Sequence, residues 1–238
     1  MDAPMLNYGQ LTIAEATALQ QKLRTKVKLN PLTTPISTIA GADISLSLYS
    51  ETVYAGMVVL SYPEMQPIGY SLVKSSTIFP YVPGYLAFRE IPALLYVYEQ
   101  IPVKPDVIMF DGNGILHARR MGIATHFGII TDTVTLGCAK KKLAGQYEEP
   151  GDSKGEFSPV NDHGDTIGFA LRTKDNVKPV FVSPGNGMSL ENSLDLIMQC
   201  VNKHRLPEPT RQAHEYVNLF RLGKLKEGYH PISQPSLC

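Results

Sequence analysis

The chain has 238 residues, of which 43% are hydrophobic; Lys+Arg and Asp+Glu both total 22, so the formal net charge is zero. This length and composition suit one domain over residues 1–238 and exclude a disordered chain. A zero net charge neither supports nor excludes a nucleic-acid partner, because phosphate binding needs a basic face rather than a basic total.

The first half of the chain predicts a helix, a three-stranded meander and a second helix. Residues 10–28 show apolar side chains at helical spacing, and Thr12 with Glu15 fits a capping box at their start. Three strands, expected to pair in antiparallel order, follow at residues 39–46, 53–60 and 68–78. A loop stiffened by prolines then leads into a helix at about residues 85–100.

The second half of the chain alternates strands with helices. A short apolar strand ends at Asp111, and a polar, Gly-rich stretch at residues 147–164 is interpreted as a surface excursion. Ser189 is expected to open an amphipathic helix, and Thr210 to cap a last helix that carries His214. The remaining elements are a helix at 126–131 and strands at 134–137, 167–173 and 178–183. A meander followed by strand–helix alternation predicts an α/β fold with a mixed sheet flanked by helices.

The cysteines and the apolar runs bear on the compartment. Cys138, Cys200 and Cys238 are widely spaced and form neither a disulfide framework nor a metal-ligand pattern, and we expect Cys138 and Cys200 to be buried thiols. We see no signal peptide, and no apolar run approaches the roughly 20 residues of a membrane span. We therefore expect a cytoplasmic protein with no membrane partner, and no feature requires more than a monomer.

Three carboxylates stand out by position, namely Asp43, Glu90 and Asp111. Asp43 lies inside an apolar strand, where a charge is costly unless it is paired or ligated. If its strand lies beside the strand that ends at Asp111, the two acids repel each other until a cation binds between them. Hard oxygen ligands favour Mg²⁺ or Mn²⁺ over zinc. Each acid alone also has an ordinary explanation: an arginine partner for Asp43, turn initiation for Asp111, and the helix dipole for Glu90.

Two glycine-containing segments add to this pattern. Gly112-Asn113-Gly114 follows Asp111, but the third glycine of a dinucleotide-binding fingerprint would fall at His117, so we discount a nucleotide cofactor. The segment Pro80-Tyr81-Val82-Pro83 fixes an aromatic side chain between two prolines. A stiff aromatic projection can enter a base stack. The alternative is a tyrosine packed into the core beneath a tight loop.

Several ordered motifs resemble the endonuclease V family, deoxyinosine-directed nucleases with a ribonuclease-H-like fold. The resemblance covers about residues 10–220, and the chain has Asn113 where the family usually has His. The matching stretches are 41–43, 80–90, 110–114, 117–120, 122–128, 137–141 and 205–211.

The resemblance implies a set of catalytic residues. Asp43, Glu90 and Asp111 correspond to the family's metal-binding acids, with Mg²⁺ as the ion and Mn²⁺ as a substitute. Lys140 corresponds to a lysine near the scissile phosphate, and His214 to a histidine near the metal that transfers protons. Without the resemblance, Lys140 would be interpreted as a solvated lysine and His214 as a surface histidine on a helix.

The resemblance also implies a set of substrate contacts. Tyr81 corresponds to a residue that wedges the duplex open while the target base is extruded. Hypoxanthine differs from adenine by a keto oxygen and an N1–H, which backbone groups of a pocket can read. That pocket is expected at Gly84, Leu86 and Gly112. Three further residues are either phosphate contacts or a solvent-exposed turn: His117, Arg119 and Arg120.

The implied activity is Mg²⁺-assisted nicking of DNA that contains deoxyinosine, the product of adenine deamination. The cut would fall at the second phosphodiester bond 3′ to the lesion, leaving a 3′-hydroxyl, a 5′-phosphate and the base still attached. Two alternatives stay open. An endonuclease for inosine-containing RNA would use the same chemistry, and its 2′-OH contacts are not legible in the sequence. A lesion-binding protein without catalysis would need neither the metal nor all three acids.

Overall fold

The computed structural model describes residues 8–46 and 51–233. In these ranges the chain forms one nine-stranded sheet and five α-helices, preceded by a short 3₁₀ helix at Tyr8–Gln10. The helices are α1 Ile13–Arg24, α2 Leu86–Gln100, α3 Ile123–Thr131, α4 Leu190–Cys200 and α5 Glu208–Arg221. The strands are β1 Thr38–Leu46, β2 Thr52–Ser61, β3 Pro67–Ser76, β4 Val107–Phe110, β5 Val134–Ala139, β6 Phe157–Asp162, β7 Asp165–Leu171, β8 Val180–Asn186 and β9 Gly228–Pro231.

The sheet is mixed, as the sequence predicts. Its strand order is β6-β7-β8-β5-β4-β1-β2-β3-β9. β4 lies at the centre and runs parallel to both of its neighbours, β1 and β5. The predicted meander is confirmed, because β1, β2 and β3 pair in antiparallel order.

Helices cover both faces of the sheet, which confirms the α/β class. Successive residues of β4 alternate between two core clusters, so this strand is buried on both sides. Ile108 and Phe110 pack with residues of α2 and α3, whereas Val107 and Met109 pack with residues of α4 and α5. Because both faces of β4 are buried, every residue of the strand before Asp111 is apolar.

The predictions about two helix starts and about the burial of Cys138 and Cys200 are confirmed. Thr12 Oγ1 accepts the backbone N–H of Glu15 while the Glu15 carboxylate accepts that of Thr12, which completes the predicted capping box. Ser189 caps α4 as expected. Cys138 and Cys200 are buried free thiols, and Cys238 lies outside the described residues.

Three predictions about the elements are wrong or incomplete. The stretch at 147–164 is not only a surface excursion, because it contains β6, an edge strand in which only Val160 is buried. Thr210 does not cap α5; Pro207 does, and Thr210 lies buried in the first turn. Strand β9 was not predicted, since four half-exposed residues carry no period and pair with β3 only through the tertiary fold.

Helix α5 packs directly on β1 because of a glycine. A Cβ atom at Gly41 would lie 1.8 Å from the backbone oxygen of Pro209. This close approach brings the following turns of α5 over β1 at Asp43. None of the helices in residues 8–46 and 51–233 is long and apolar enough to cross a membrane.

We expect Gly41→Ala to lower the free energy of unfolding by about 3 kcal/mol, because the new methyl group meets backbone that cannot rotate away. Gly56→Ala is the matched control: Gly56 lies on β2 opposite Asp43, and its methyl group would meet the side-chain ends of Val217 on α5 and Leu72 on β3 at 2.7 and 2.8 Å. We expect this control to cost about 1 kcal/mol. Urea denaturation measures both, and equal losses would contradict the close backbone contact.

Candidate metal centre and adjoining pocket

Parallel pairing of β1 with β4 brings two of the predicted acids together. The register pairs Ala42 with Phe110, so Asp43 and Asp111 are the next residues along the two strands. The Asp111 N–H donates to the Ala42 carbonyl at 3.2 Å, which extends the ladder to the acids themselves. Carboxylate oxygens of Asp43 and Asp111 and a ring nitrogen of His214 all lie within 4.8 Å of one another. This donor set suits a hard divalent cation.

The electrostatics of the acids favour a cation at this position. Burial raises the pKa of Asp43, the negative charge of Asp111 raises it further, and His214 opposes the shift. Burial also raises the pKa of Glu90 to about 8, and repulsion from Asp43 adds to that shift. A positive ion would remove the repulsion that the three carboxylates impose on each other.

Glu90 stands slightly apart from the other acids. It lies in the first turns of α2 and is near enough for Asp43 and Asp111 to raise its pKa. Among the described residues, however, the cluster with metal-ligand spacing contains His214 rather than Glu90. Direct ligation by Glu90 therefore stays a prediction.

Lys140 and His214 each contact one of the paired acids. Lys140, just beyond β5, donates from Nζ to Asp111 Oδ2 at 2.6 Å, and its side chain is 43% exposed. His214 Nδ1 lies 2.9 Å from Asp43 Oδ2. The partner of Asp43 is thus a histidine and not the arginine of the ordinary explanation.

Asn218 fixes the orientation of His214, and sequence reasoning missed it. Its Nδ2 donates to His214 Nε2 at 3.0 Å, one helical turn further along α5. Since Nε2 accepts this bond, Nδ1 carries the hydrogen that faces Asp43. The spacing of four residues on one helix face was the only signal available in the sequence.

A pocket of about 420 Å³ adjoins the acids. Asp111 and Lys140 stand at its edge, so a group bound there lies beside the candidate metal centre. Its lining includes five residues predicted to contact the substrate, namely Tyr81, Gly84, Leu86, Gly112 and His117. Two larger hollows, of about 770 and 600 Å³, lie around the β6–β7 hairpin and touch none of the three acids.

Tyr81 projects from the loop between β3 and α2. Its side chain is 49% exposed, so the alternative of a tyrosine packed into the core is wrong. Phe79 takes the core position instead, where it stacks on Phe88 at a centroid distance of 5.2 Å. The loop is therefore anchored by one aromatic ring and presents the other at the mouth of the pocket.

Three side chains hold the Gly84 carbonyl at the end of this loop. It accepts hydrogen bonds from Arg119 Nη2 at 2.8 Å, His117 Nε2 at 3.1 Å and Gln20 Nε2 at 3.2 Å. Gly84 has a φ of +81°, a conformation that favours glycine. With three donors on one oxygen, only the N–H of Gly84 remains available to a bound base. Gln20 was not foreseen, because it lies on α1, far away in the sequence.

The basic side chains after Asp111 are engaged within the protein. Arg120 donates to Asp162 Oδ2 on β6 at 2.7 Å, and Arg120 and His117 are 9% and 4% exposed. The alternative of a solvent-exposed turn is therefore wrong for these two residues. A phosphate contact by His117 or Arg120 would require these internal bonds to break. Arg119 is half-buried and bonds Gln20 and Gly84 through Nε and Nη2, so its phosphate contact stays a prediction.

Glycine is needed at the two positions after Asp111 for different reasons. Gly112 lines the pocket, as expected. A Cβ atom at Gly114 would lie 2.0 Å from the Pro184 carbonyl on β8, so Gly114 serves internal packing and not a ligand.

Comparisons with known proteins agree on one family. The family model described as Endonuclease V matches residues 21–215. Endonuclease V of Roseiflexus sp. (strain RS-1) is 43% identical over 202 residues, which cover 85% of this chain and 90% of that relative.

Solved structures give the same result. The crystal structure of Endonuclease V from Streptomyces avermitilis is 36% identical, has a TM-score of 0.84, and matches over 89% of this chain and 94% of its own. That of Ciona intestinalis Endonuclease V, in complex with a 24-mer DNA containing an inosine followed by a ribo-adenosine, is 29% identical with a TM-score of 0.77, over 90% and 99% of the two chains. These similarities confirm the expected ribonuclease-H-like fold.

His117 predicts a pH dependence of stability. Burial, reinforced by the charge of Arg119, lowers its pKa from 6.5 to about 4 in the folded protein. His117 therefore contributes its full share of the free energy of unfolding above pH 6.5. As the pH falls towards 4, the folded protein loses this contribution, which is roughly 3 kcal/mol.

The variant His117→Gln keeps a donor for Gly84 but cannot titrate. We expect its free energy of unfolding to fall less than that of the unaltered protein between these pH values, measured by urea denaturation at each pH. Buried His126, whose pKa is lowered to about 3, contributes equally to both proteins. Parallel curves for the two proteins would show that His117 is not held neutral by the fold.

Proposed function

Because this chain belongs to the endonuclease V family, we propose that it nicks DNA near deoxyinosine. The cut falls at the second phosphodiester bond 3′ to the lesion and leaves a 3′-hydroxyl and a 5′-phosphate. The observation that carries this proposal is the convergence of Asp43, Asp111 and His214 at the edge of the pocket lined by Tyr81 and Gly112.

Asp43 and Asp111 would hold Mg²⁺, with Mn²⁺ as a substitute, and Glu90 and His214 lie beside them. The fit rests on the oxygen-rich donor set and on the mutual repulsion of carboxylates that a cation relieves. When bound, such an ion supplies Lewis acidity and neutralises charge for phosphodiester hydrolysis.

Lys140 and His214 act beside these acids. Lys140 presents a partly exposed ammonium group next to Asp111, where it can compensate negative charge on the scissile phosphate. His214, held by Asp43 and Asn218, has a side chain that is 53% exposed, so it can pass a proton to or from solvent.

Tyr81 and the pocket select the lesion. A rigid, exposed aromatic ring can fill the gap in the base stack while the target base is extruded. The extruded base enters the pocket, where the backbone at Gly112 and the N–H of Gly84 approach it. The bonds from Gln20, His117 and Arg119 position this loop.

Cleavage of inosine-containing RNA is the second candidate. The DNA in the Ciona intestinalis complex carries a ribo-adenosine after its inosine, so a relative of this chain accepts a 2′-OH next to the lesion. Nicking rates on matched strands distinguish the substrates: all-deoxy, one ribonucleotide 3′ to the inosine, and all-ribo. A rate on the all-ribo strand well above that on the all-deoxy strand would reassign the enzyme to RNA.

We expect Asp43→Asn and Asp111→Asn each to lower nicking of a deoxyinosine duplex in Mg²⁺ by about 100-fold or more, because each change removes a charged oxygen ligand. EDTA should stop nicking by the unaltered protein. Asp132→Asn is the matched control, since Asp132 is 78% exposed and pairs only with Lys28 among the contacts described. Nicking that persists without either acid, or in EDTA, would contradict hydrolysis at these acids, whereas no nicking by the unaltered protein in Mg²⁺ would leave only a lesion-binding protein.

We expect Tyr81→Ala to weaken binding of deoxyinosine DNA by about 10-fold or more and to leave Mg²⁺ affinity unchanged, because the ring contacts bases and not the acids. Gel shift and calorimetry measure the two affinities. Tyr96→Ala on α2 is the control, with a similarly exposed ring at 44%. Equal loss of both affinities would mean that Tyr81 is structural.

A further inference from the structure

Asn113 belongs to the lining of the pocket, and its side-chain oxygen lacks a partner. It is 7% exposed, and its Oδ1 is buried without a hydrogen bond. Of the buried side-chain atoms without a partner in residues 8–46 and 51–233, this oxygen alone belongs to a residue of the pocket lining. A buried acceptor is costly until a donor reaches it.

The other polar side chains of the pocket are committed or stand at its mouth. Asp111 and Lys140 bond each other. His117 uses both ring nitrogens, since Nδ1 accepts the Arg119 N–H at 3.1 Å and Nε2 bonds the Gly84 carbonyl. Tyr81 and Lys141 are exposed. Asn113 is therefore the uncharged polar side chain left to meet a base inside the pocket.

The backbone of Asn113 is held firmly. Its carbonyl accepts the N–H of Ala124 in the first turn of α3 at 3.2 Å. Cβ atoms at Gly122 and Gly137 would lie 2.1 and 2.7 Å from its carbonyl group, so α3 and β5 press on it from two sides. The side chain consequently projects from a fixed point, as a group that reads a ligand must.

The chemistry of a primary amide matches one edge of hypoxanthine. That edge presents the N1–H donor beside the O6 acceptor, whereas adenine presents an acceptor at N1 and a donor at N6. Once the amide turns its oxygen towards the pocket, Oδ1 can accept from N1–H while Nδ2 donates to O6, a bidentate pair of the kind by which side-chain amides read bases. Adenine would require the opposite orientation of the amide, with Nδ2 facing N1 and Oδ1 facing N6.

We propose that Asn113 determines specificity by pairing its side-chain amide with the N1–H and O6 of the extruded base. This inference rests on the proposed function, because it assumes that hypoxanthine enters the pocket. It assigns to a side chain part of the discrimination that the backbone of Gly84 and Gly112 would otherwise supply alone.

The test compares three duplexes that differ at one position: deoxyinosine, deoxynebularine, which lacks both N1–H and O6, and an abasic site. Affinities are measured by fluorescence anisotropy in Ca²⁺. The unaltered protein should bind the deoxyinosine duplex about 10- to 100-fold more tightly than the deoxynebularine duplex. In Asn113→Leu this ratio should fall close to one, with little change in affinity for the abasic duplex.

Two further variants make the result decisive. Asn202→Leu changes an exposed asparagine outside the pocket lining and should preserve the ratio. Asn113→Ala, with the same three duplexes, replaces the leucine variant if the latter fails to melt cooperatively. An equal loss of affinity for all three duplexes, or a ratio near one in the unaltered protein, would overturn the role of Asn113. Failure of the unaltered protein to prefer deoxyinosine over an undamaged duplex would instead overturn the proposed function.

Discussion

The site depends on the parallel pairing of β1 with β4, which sets Asp43, within β1, beside Asp111, the residue that follows β4. Asp43 and Asp111 must take this register because β4 is apolar on both faces and is fixed between two parallel neighbours. The negative charge of Asp111 raises the pKa of Asp43, and the fold keeps the two like charges together although their repulsion costs stability. Lys140, just beyond β5, places an ammonium group against Asp111, and His214 on α5 donates a hydrogen bond to Asp43. The surrounding elements thus supply one charged and one uncharged donor to the paired acids.

Recognition is built separately, from loops on either side of the pocket. The loop that carries Tyr81 is anchored by buried Phe79 at one end and by three hydrogen bonds to the Gly84 carbonyl at the other. The turn after Asp111 forms the facing wall and contributes Asn113. Because the turn begins at a carboxylate of the candidate metal centre, the position of a bound base and the position of the acids are coupled through four consecutive residues.

Part of the candidate metal centre could be predicted from the sequence, for physical reasons. A carboxylate within an apolar strand signals a partner or a ligand, and that reasoning located Asp43 and Asp111. The roles of the basic residues were not legible, since the partner of Arg120 is Asp162, on a strand whose single buried residue gave no period. The same holds for Gln20, which reaches Gly84 only through the docking of α1. The resemblance to a family supplied His214 and Lys140, which composition and spacing would have left on the surface.

The most direct test of the shared-cation centre is anomalous diffraction from crystals of the unaltered protein equilibrated with Mn²⁺. We predict the strongest anomalous peak between the carboxylates of Asp43 and Asp111, with His214 adjacent. The shared-cation centre would be contradicted by a crystal that shows no manganese at this position and in which Lys140 and His214 are the only groups that contact the two acids.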